Sequence, residues 1–349
     1  MGSNIAIMGA GALGSYVGAF LARGGQQVTF IDMWPEHVEV MKSRGLHVTG
    51  SQGPFTVPVN ALHLTDAQAI TEQFDFAFIS VKSYDTEWAT HFMKRYVKPE
   101  GFFVSLQNCW NDTVIADIVG PERSVGCIAS HIEVALWEPG SVERGGAVGR
   151  DSGHYVFRVG EQDGTETSRV AEVVGLLDLI DGAYVTNNLW GERWAKLSQN
   201  SMGNAISAST AMGTLELNNS EAARVIGIHL AKESAQVGLA LGLDVVEINS
   251  KPAATWAAAD QGDVYEELDD FMANRPSRTN WKASMAQDVA KGRRSEIDFM
   301  NGLVARKGQE VRVPTPYTDA IVKIMHLVED GSITPSGAVA DMILAEVRR

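Results

Sequence analysis

Ile5-Ala6-Ile7-Met8-Gly9-Ala10-Gly11-Ala12-Leu13-Gly14 is an apolar run that turns through glycines into a stretch with helical patterning. Residues 5–8 have the apolar, unbroken texture of a buried strand. A Gly-x-Gly-x-x-Gly string alone is weak, because glycine is frequent in this chain. Placed between a strand and a helix it becomes the fingerprint of a dinucleotide site. Gly9 would allow the tight turn, Gly11 the close approach of backbone to a pyrophosphate, and Gly14 close packing of helix on strand. The helix N-terminus then offers its N–H groups and positive dipole end to the phosphates. The expected cofactor-binding segment is therefore Gly9, Ala10, Gly11, Ala12, Leu13 and Gly14.

Working outward, Asp32 ends the next apolar run, 18 residues after Gly14. A carboxylate there accepts hydrogen bonds from adenosine ribose hydroxyls and repels a 2′-phosphate. Met33-Trp34-Pro35-Glu36 follows, and the first cation beyond is Lys42. These residues predict NAD(H) in preference to NADP(H). A second reading of Asp32, as a cap for the helix opening near Pro35, stays open.

Further apolar runs at 28–31, 76–81 and 102–106 alternate with helix-length stretches at 12–23, 35–43, 86–96 and 112–119. That rhythm implies βαβ units and a doubly wound parallel sheet. Glycine-rich, β-prone residues 132–161 suggest antiparallel hairpins closing that sheet, and 165–180 one more helix. From about residue 189 long helical patterns dominate, at 190–210, 220–241, 263–273, 297–307 and 316–329, with a terminal helix expected within 336–349. The expected architecture is an α/β Rossmann-type N-terminal domain, 1–187, joined to an all-α C-terminal domain, 188–349.

Length and composition agree with two domains, each large enough for its own core. With 29 Lys+Arg against 43 Asp+Glu, the net charge is −14, which argues against nucleic acid as a partner. Two cysteines, Cys109 and Cys127, are too few for a disulfide framework. The eight histidines show no HExxH or HxH spacing, so no metal centre is expected. No apolar run reaches the roughly 18 residues of a membrane span, and no basic leader opens the chain. A soluble cytoplasmic protein is the expectation.

Two strand ends carry polar groups: Lys82 after the 76–81 run, and Gln107-Asn108 after the 102–106 run. Ligands of open parallel sheets bind at these carboxyl ends, so contacts to the nicotinamide ribose and to substrate are expected there. In the helical half, Lys196, Asn200 and Asn204 are spaced i, i+4, i+8, one polar stripe of a helix. Trp190, Trp194, Leu197 and Ser201 fall on the adjoining face. A desolvated lysine can act as a proton donor in carbonyl reduction, and the amides can hold a carboxylate or hydroxyl. The same stripe also reads as a solvated face. Glu296, ahead of the 297–307 helix, fits either helix-dipole placement or substrate binding, and nothing chemical is assigned to Arg293 or Arg294.

Together GAGALG at 9–14, Lys82, Gln107-Asn108, WAKLSQNSMGN at 194–204 and SMAQDVAKGRRSEID at 284–298, with Asn301-Gly302 after it, resemble the ketopantoate reductase (2-dehydropantoate 2-reductase) family over nearly the whole chain. The resemblance implies substrate and nicotinamide between a Rossmann domain and a helical domain, and a homodimer. It implies Lys196 as the general acid and Glu296 as the carboxylate that binds the substrate hydroxyl. Asn200, Asn204 and Ser284 would be substrate-binding groups, and Asn108 would stand between cofactor and substrate. Where family members often have glycine after the Gln-Asn pair, this chain has Cys109-Trp110, and Trp281 stands where some carry an asparagine. Many of the pantoate-pathway enzymes end their second strand with a basic residue for NADPH; this chain has Asp32. Two enzymatic readings follow: reduction of ketopantoate to (R)-pantoate on the coenzyme A route, or an NAD-dependent D-2-hydroxy-acid dehydrogenase for a bulkier or aromatic 2-oxo acid. A non-catalytic NAD sensor is the reading of another class.

Overall fold

The computed structural model describes residues 2–275 and 280–348. The chain divides into two compact units, Met1–Leu189 and Trp190–Arg349. The first begins β1 (Asn4–Met8), α1 (Ala12–Arg23), β2 (Gln27–Asp32), α2 (Pro35–Arg44), β3 (Leu46–Gly50), β4 (Phe55–Val57) and β5 (Asn60–His63). It continues with β6 (Phe74–Ile79), α3 (Thr86–Met93), β7 (Val97–Ser105), α4 (Asp112–Val119) and β8 (Ser124–Ala129). It closes with β9 (Glu133–Glu138), β10 (Ser141–Gly145), β11 (Phe157–Gly160), α5 (Ser168–Leu177) and β12 (Ala183–Val185).

The main sheet has eight strands in the order β12-β11-β8-β7-β6-β1-β2-β5. Its neighbours pair in parallel except β11 with β8. Successive side chains of a strand point to opposite faces, and here both faces are covered. Ile5, Ile7, Phe76, Phe78, Phe102 and Val104 pack in a core with α1 and α5. Ala6, Met8, Ala77, Ile79 and Phe103 pack with α3 and α4. That two-sided burial is why these strands read as continuous apolar runs.

The expected closure of the main sheet by residues 132–161 is corrected by the structure. β9 and β10 do form an antiparallel hairpin, but in a separate four-stranded sheet, β4-β3-β10-β9, where β10 pairs in parallel with β3. Of that stretch only β11 joins the main sheet. The cause is α1, whose residues Gly14 through Leu21 are all buried. A helix apolar on all sides needs cover on all sides, and Leu46, Val48, Val57, Leu136 and Val142 of the second sheet share its core. Arg144 of β10 and Asp181, both fully buried, form an ion pair. Burial alone would raise the Asp181 carboxyl, but hydrogen bonds from Arg144 and the N–H groups of Gly149, Arg150 and Gly182 hold it below its ordinary range.

The second unit is helical: α6 (Leu189–Ser201), α7 (Asn204–Thr210), α8 (Thr214–Asn219), α9 (Glu221–Ala240), α10 (Ala253–Ala257) and α11 (Val264–Ala273). Then come α12 (Ser284–Ala290), α13 (Asn301–Val311), α14 (Pro316–Glu329) and α15 (Val339–Val347); Arg349, at the end of the expected terminal helix, lies outside the described residues. α9 is the central element, packed against α10, α11, α13, α14 and α15, and Ser220 caps it through the N–H of Ala223. Among the described residues, no helix is long and apolar enough to cross a membrane.

Two helical expectations change. The single helix over 190–210 is broken between α6 and α7: the Gly203 N–H bonds to Asn200 O, a tightened last turn, and Gly203 leaves the helical region at φ −134°. The Met202 carbonyl there faces Gly227 of α9, where a Cβ would stand 3.1 Å away. The helix over 297–307 is likewise split into a 3-10 turn, Ile297–Phe299, and α13, with Met300 at φ −106°, ψ −89° between them.

Glu233 of α9 accepts hydrogen bonds from the N–H groups of Tyr317 and Thr318, each 2.8 Å, at the head of α14. Burial outweighs these bonds and pushes its carboxyl up from the ordinary 4.5 to about 7. Between those values the folded protein holds a proton that the unfolded chain has released. The contribution of Glu233 to stability is therefore full below about pH 4.5 and falls toward pH 7, by up to about 1.4 kcal/mol per pH unit. Denaturant unfolding across this window should show the native chain losing stability relative to Glu233→Gln as pH rises, with the difference between the two profiles carrying that slope.

Candidate active site

The glycine loop lies at the carboxyl end of β1. Gly9 takes φ +97°, and a Cβ on it would come within 2.7 Å of the Val81 nitrogen, so only glycine fits. A Cβ on Gly14 would collide with the Gly9 carbonyl and stand 2.7 Å from Ser80 Oγ. Gly11 is different: a Cβ there would meet no atom within 4 Å. Gly11 is also the N-cap of α1, with no side-chain cap, and the first turn carries no acidic residue. The leading N–H groups and positive end of this helix are thus left for an anion, and Gly11 leaves backbone-close room beside them.

Asp32 is tied into this loop. Its Oδ2 accepts the Ala10 N–H at 2.6 Å and its Oδ1 the Trp34 N–H at 2.8 Å. The N-cap of α2 is Trp34, which no side chain caps, so Asp32 does not serve as the N-cap of that helix. Its remaining lone pairs suit hydroxyl donors. Lys42, the first cation beyond it, pairs with Glu39 and Asp66, each at 3.1 Å.

Lys82 and Asn108, both half-buried, follow the adjacent strands β6 and β7. Gln107 is buried, and its Nε2 donates to Val81 O at 2.7 Å and Thr86 Oγ1 at 2.8 Å; this ties the two strand ends together and gives Gln107 a scaffolding role. The Asn108 carbonyl accepts from Asn111 Nδ2 at 2.8 Å. Cys109 after it sits at φ +67°, a conformation that favours glycine. The glycine loop, Asp32, Lys82 and Asn108 accordingly share the carboxyl edge of one sheet.

In the second unit, α6 is anchored by the face that holds Trp194, Leu197 and Ser201, all buried. Trp194 Nε1 donates to Ser234 O at 2.9 Å, and the Ser198 and Ser234 hydroxyls are 2.6 Å apart. This fixes the rotation of the helix, leaving Lys196 half-buried and Asn200 buried one turn on. Asn204 does not continue their stripe; it is the first residue of α7, past the break. Ser284 is the first residue of α12, which packs against α7. Glu296 is buried, and its carbonyl accepts the N–H groups of Phe299 and Met300, each at 3.0 Å.

In the sequence Asn301 figures only as part of the family resemblance, with no role of its own. Fully buried, it donates from Nδ2 to Ser201 O at 3.0 Å, so the end of α6 is held to the start of α13. The break after Ser201 leaves that carbonyl without a continuing helix, and the Asn301 amide supplies a partner. The only earlier signal was the position of Asn301 just beyond the 284–298 motif. Among the described residues, no group of three or more His, Cys, Asp or Glu is placed to hold a metal.

Two family models, described as Ketopantoate reductase PanE/ApbA and its C-terminal part, match residues 5–153 and 188–329. The chain belongs to the ketopantoate reductase family. Membership makes it an oxidoreductase acting on CH–OH groups with a nicotinamide cofactor. It is 29% identical over 336 residues to the 2-dehydropantoate 2-reductase of Archaeoglobus fulgidus, covering 94% of this chain and 98% of that one. A solved PanE/ApbA family ketopantoate reductase from Ralstonia eutropha JMP134 is 27% identical, with TM-score 0.75 and coverage of 94% and 98%. A solved D-mandelate dehydrogenase shares the fold at 21% identity and TM-score 0.76, covering 95% and 99%.

The contrast between two glycines gives a test. Gly11→Ala should melt like the native protein yet bind NADH more weakly, because its Cβ meets only the space a ligand would fill. Gly14→Ala should lose about 1–3 kcal/mol of stability. Thermal melts and NADH titrations of both variants check this; equal melting losses would contradict it.

Proposed function

We propose that this protein uses NADH to reduce a 2-oxo acid to its (R)-2-hydroxy acid, with ketopantoate as first substrate and pantoate as product. The observation that carries the reading is Lys196 and Asn200, one turn apart on a helix whose rotation is fixed by the Trp194 and Ser198 bonds to Ser234. The glycine loop, with its uncapped helix end and Asp32, supports the cofactor half.

In this reading Gly9–Gly14 bind the pyrophosphate, and Asp32 accepts the ribose hydroxyls and disfavours a 2′-phosphate, giving NAD(H) over NADP(H). Lys82 and Asn108 face the nicotinamide ribose, Asn108 also the substrate. When bound, the nicotinamide supplies a hydride to the carbonyl carbon. Lys196 gives its ammonium proton to the carbonyl oxygen, so the new alkoxide charge never accumulates, and afterwards recovers a proton from water. Glu296 binds the substrate hydroxyl and orients the lysine, while Asn200, Asn204 and Ser284 hold the polar groups of the oxo acid.

A second reading, a D-2-hydroxy-acid dehydrogenase for aromatic 2-oxo acids, is favoured by Trp281. Its carbonyl is pinned by the N–H and hydroxyl of Thr214, each at 3.0 Å, so a bulky ring stands three residues before Ser284 on a fixed backbone.

Lys196→Ala should lower kcat by about 10²–10⁴, the usual loss on removing a general acid, with NADH affinity retained. Steady-state rates beside an NADH titration check this. A variant that keeps most of its kcat would rule Lys196 out as the acid.

A further inference from the structure

His37 lies on α2, is fully buried, and belongs to none of the groups assigned above. Its Nδ1 accepts the Gly140 N–H at 2.8 Å. A ring nitrogen that accepts carries no proton, so the imidazole is neutral with its hydrogen on Nε2. Burial pushes this imidazole below its ordinary range, against the pull of Asp32, in keeping with that form. Nε2 lies 3.3 Å from Ser15 Oγ, and Ser15 Oγ donates to the Ala10 carbonyl at 2.7 Å. A relay of three hydrogen bonds therefore runs from the β9–β10 turn through α2 into the glycine loop.

Both ends of the relay are held. Gly140 is at φ +71°, and a Cβ there would strike Val40 of α2; glycine alone lets the turn lie this close. The Gly140 carbonyl accepts the His47 N–H at 2.8 Å, at the start of β3. The Trp34 ring stacks on the imidazole at 5.4 Å and 22°.

The consequence lies in the peptide that follows Ala10. A trans peptide is planar, with its C=O and N–H pointing opposite ways. Drawing the Ala10 carbonyl toward Ser15 turns the Gly11 N–H the other way, at the residue where a Cβ would meet open space. Asp32 already holds the Ala10 N–H. The orientations of two successive peptides of the loop are thus set from outside it, one by Asp32 and one by the His37–Ser15 relay.

We propose that His37 is a positioning residue of the dinucleotide site, aiming the Gly11 N–H at the pyrophosphate through Ser15 and anchoring the loop to the second sheet. This rests on the dinucleotide reading of Gly9–Gly14. His37→Phe keeps a ring beside Trp34 and removes both hydrogen bonds; Ser15→Ala removes the other link. Each should weaken NADH binding about tenfold, the value of one such bond, raising KM for NADH while leaving kcat at saturating NADH and the KM of the oxo acid unchanged. The double variant should be no weaker than either single one, since both cut one relay. Hydrogen exchange of residues 9–16 in the nucleotide-free protein should accelerate in both single variants. NADH affinity of His37→Phe within about twofold of native, or multiplicative losses in the double variant, would overturn the proposal. A native protein that binds no NADH would defeat the dinucleotide reading instead, and unchanged exchange in residues 9–16 would then overturn the positioning role by itself.

Discussion

Helix α1 is pressed between the main sheet and the second sheet more tightly than ordinary side chains allow. Gly14 abuts the Gly9 carbonyl, and a Cβ on Gly18 would enter the Phe30 ring. This close packing brings the helix start directly behind the end of β1. The chain must then turn back on itself through Gly9, whose φ is +97°. The loop that results leaves open space at Gly11, with Asp32 on one flank and the His37–Ser15 relay on the other. A looser contact at Gly14 would free the loop and lose the alignment of helix end and strand edge.

The helical unit solves a different problem, that of holding polar groups in partly buried positions. α6 is locked by Trp194 and Ser198 on one face, which sets the helix positions from which Lys196 and Asn200 project. The break after Ser201 directs the chain into α7, and Asn301 takes up the carbonyl the break leaves open. Both helix interruptions, at Met202–Gly203 and at Met300, lie beside residues proposed to hold the substrate: Asn204 in the first case and Glu296 in the second. Departures from regular helix at such places re-aim side chains at the cost of local hydrogen bonds.

Much of this was legible in the chain. The β1–α1 turn, the apolar strands of the main sheet and the long helices carry strong local signals, because each is buried on a defined side. The second sheet was not legible. β3, β4 and β10 are five residues or shorter, and β10 pairs with β3 across a long sequence separation, which no local pattern encodes. The helix breaks were hidden for another reason: polar residues recur every four positions from Lys196 to Asn204, so periodicity runs on through Gly203. The buried status of His37 and Asn301 was hidden too, since a lone polar residue in a helical stretch shows nothing of what it bonds.

The cofactor half of the account rests on Asp32 as a ribose acceptor, and testing it in turnover also tests the reductase reading carried by Lys196 and Asn200. The direct measurement is kcat/KM for NADH and for NADPH in the reduction of ketopantoate by the native protein. The account predicts turnover with a clear preference for NADH. A preference for NADPH would contradict the role given to Asp32.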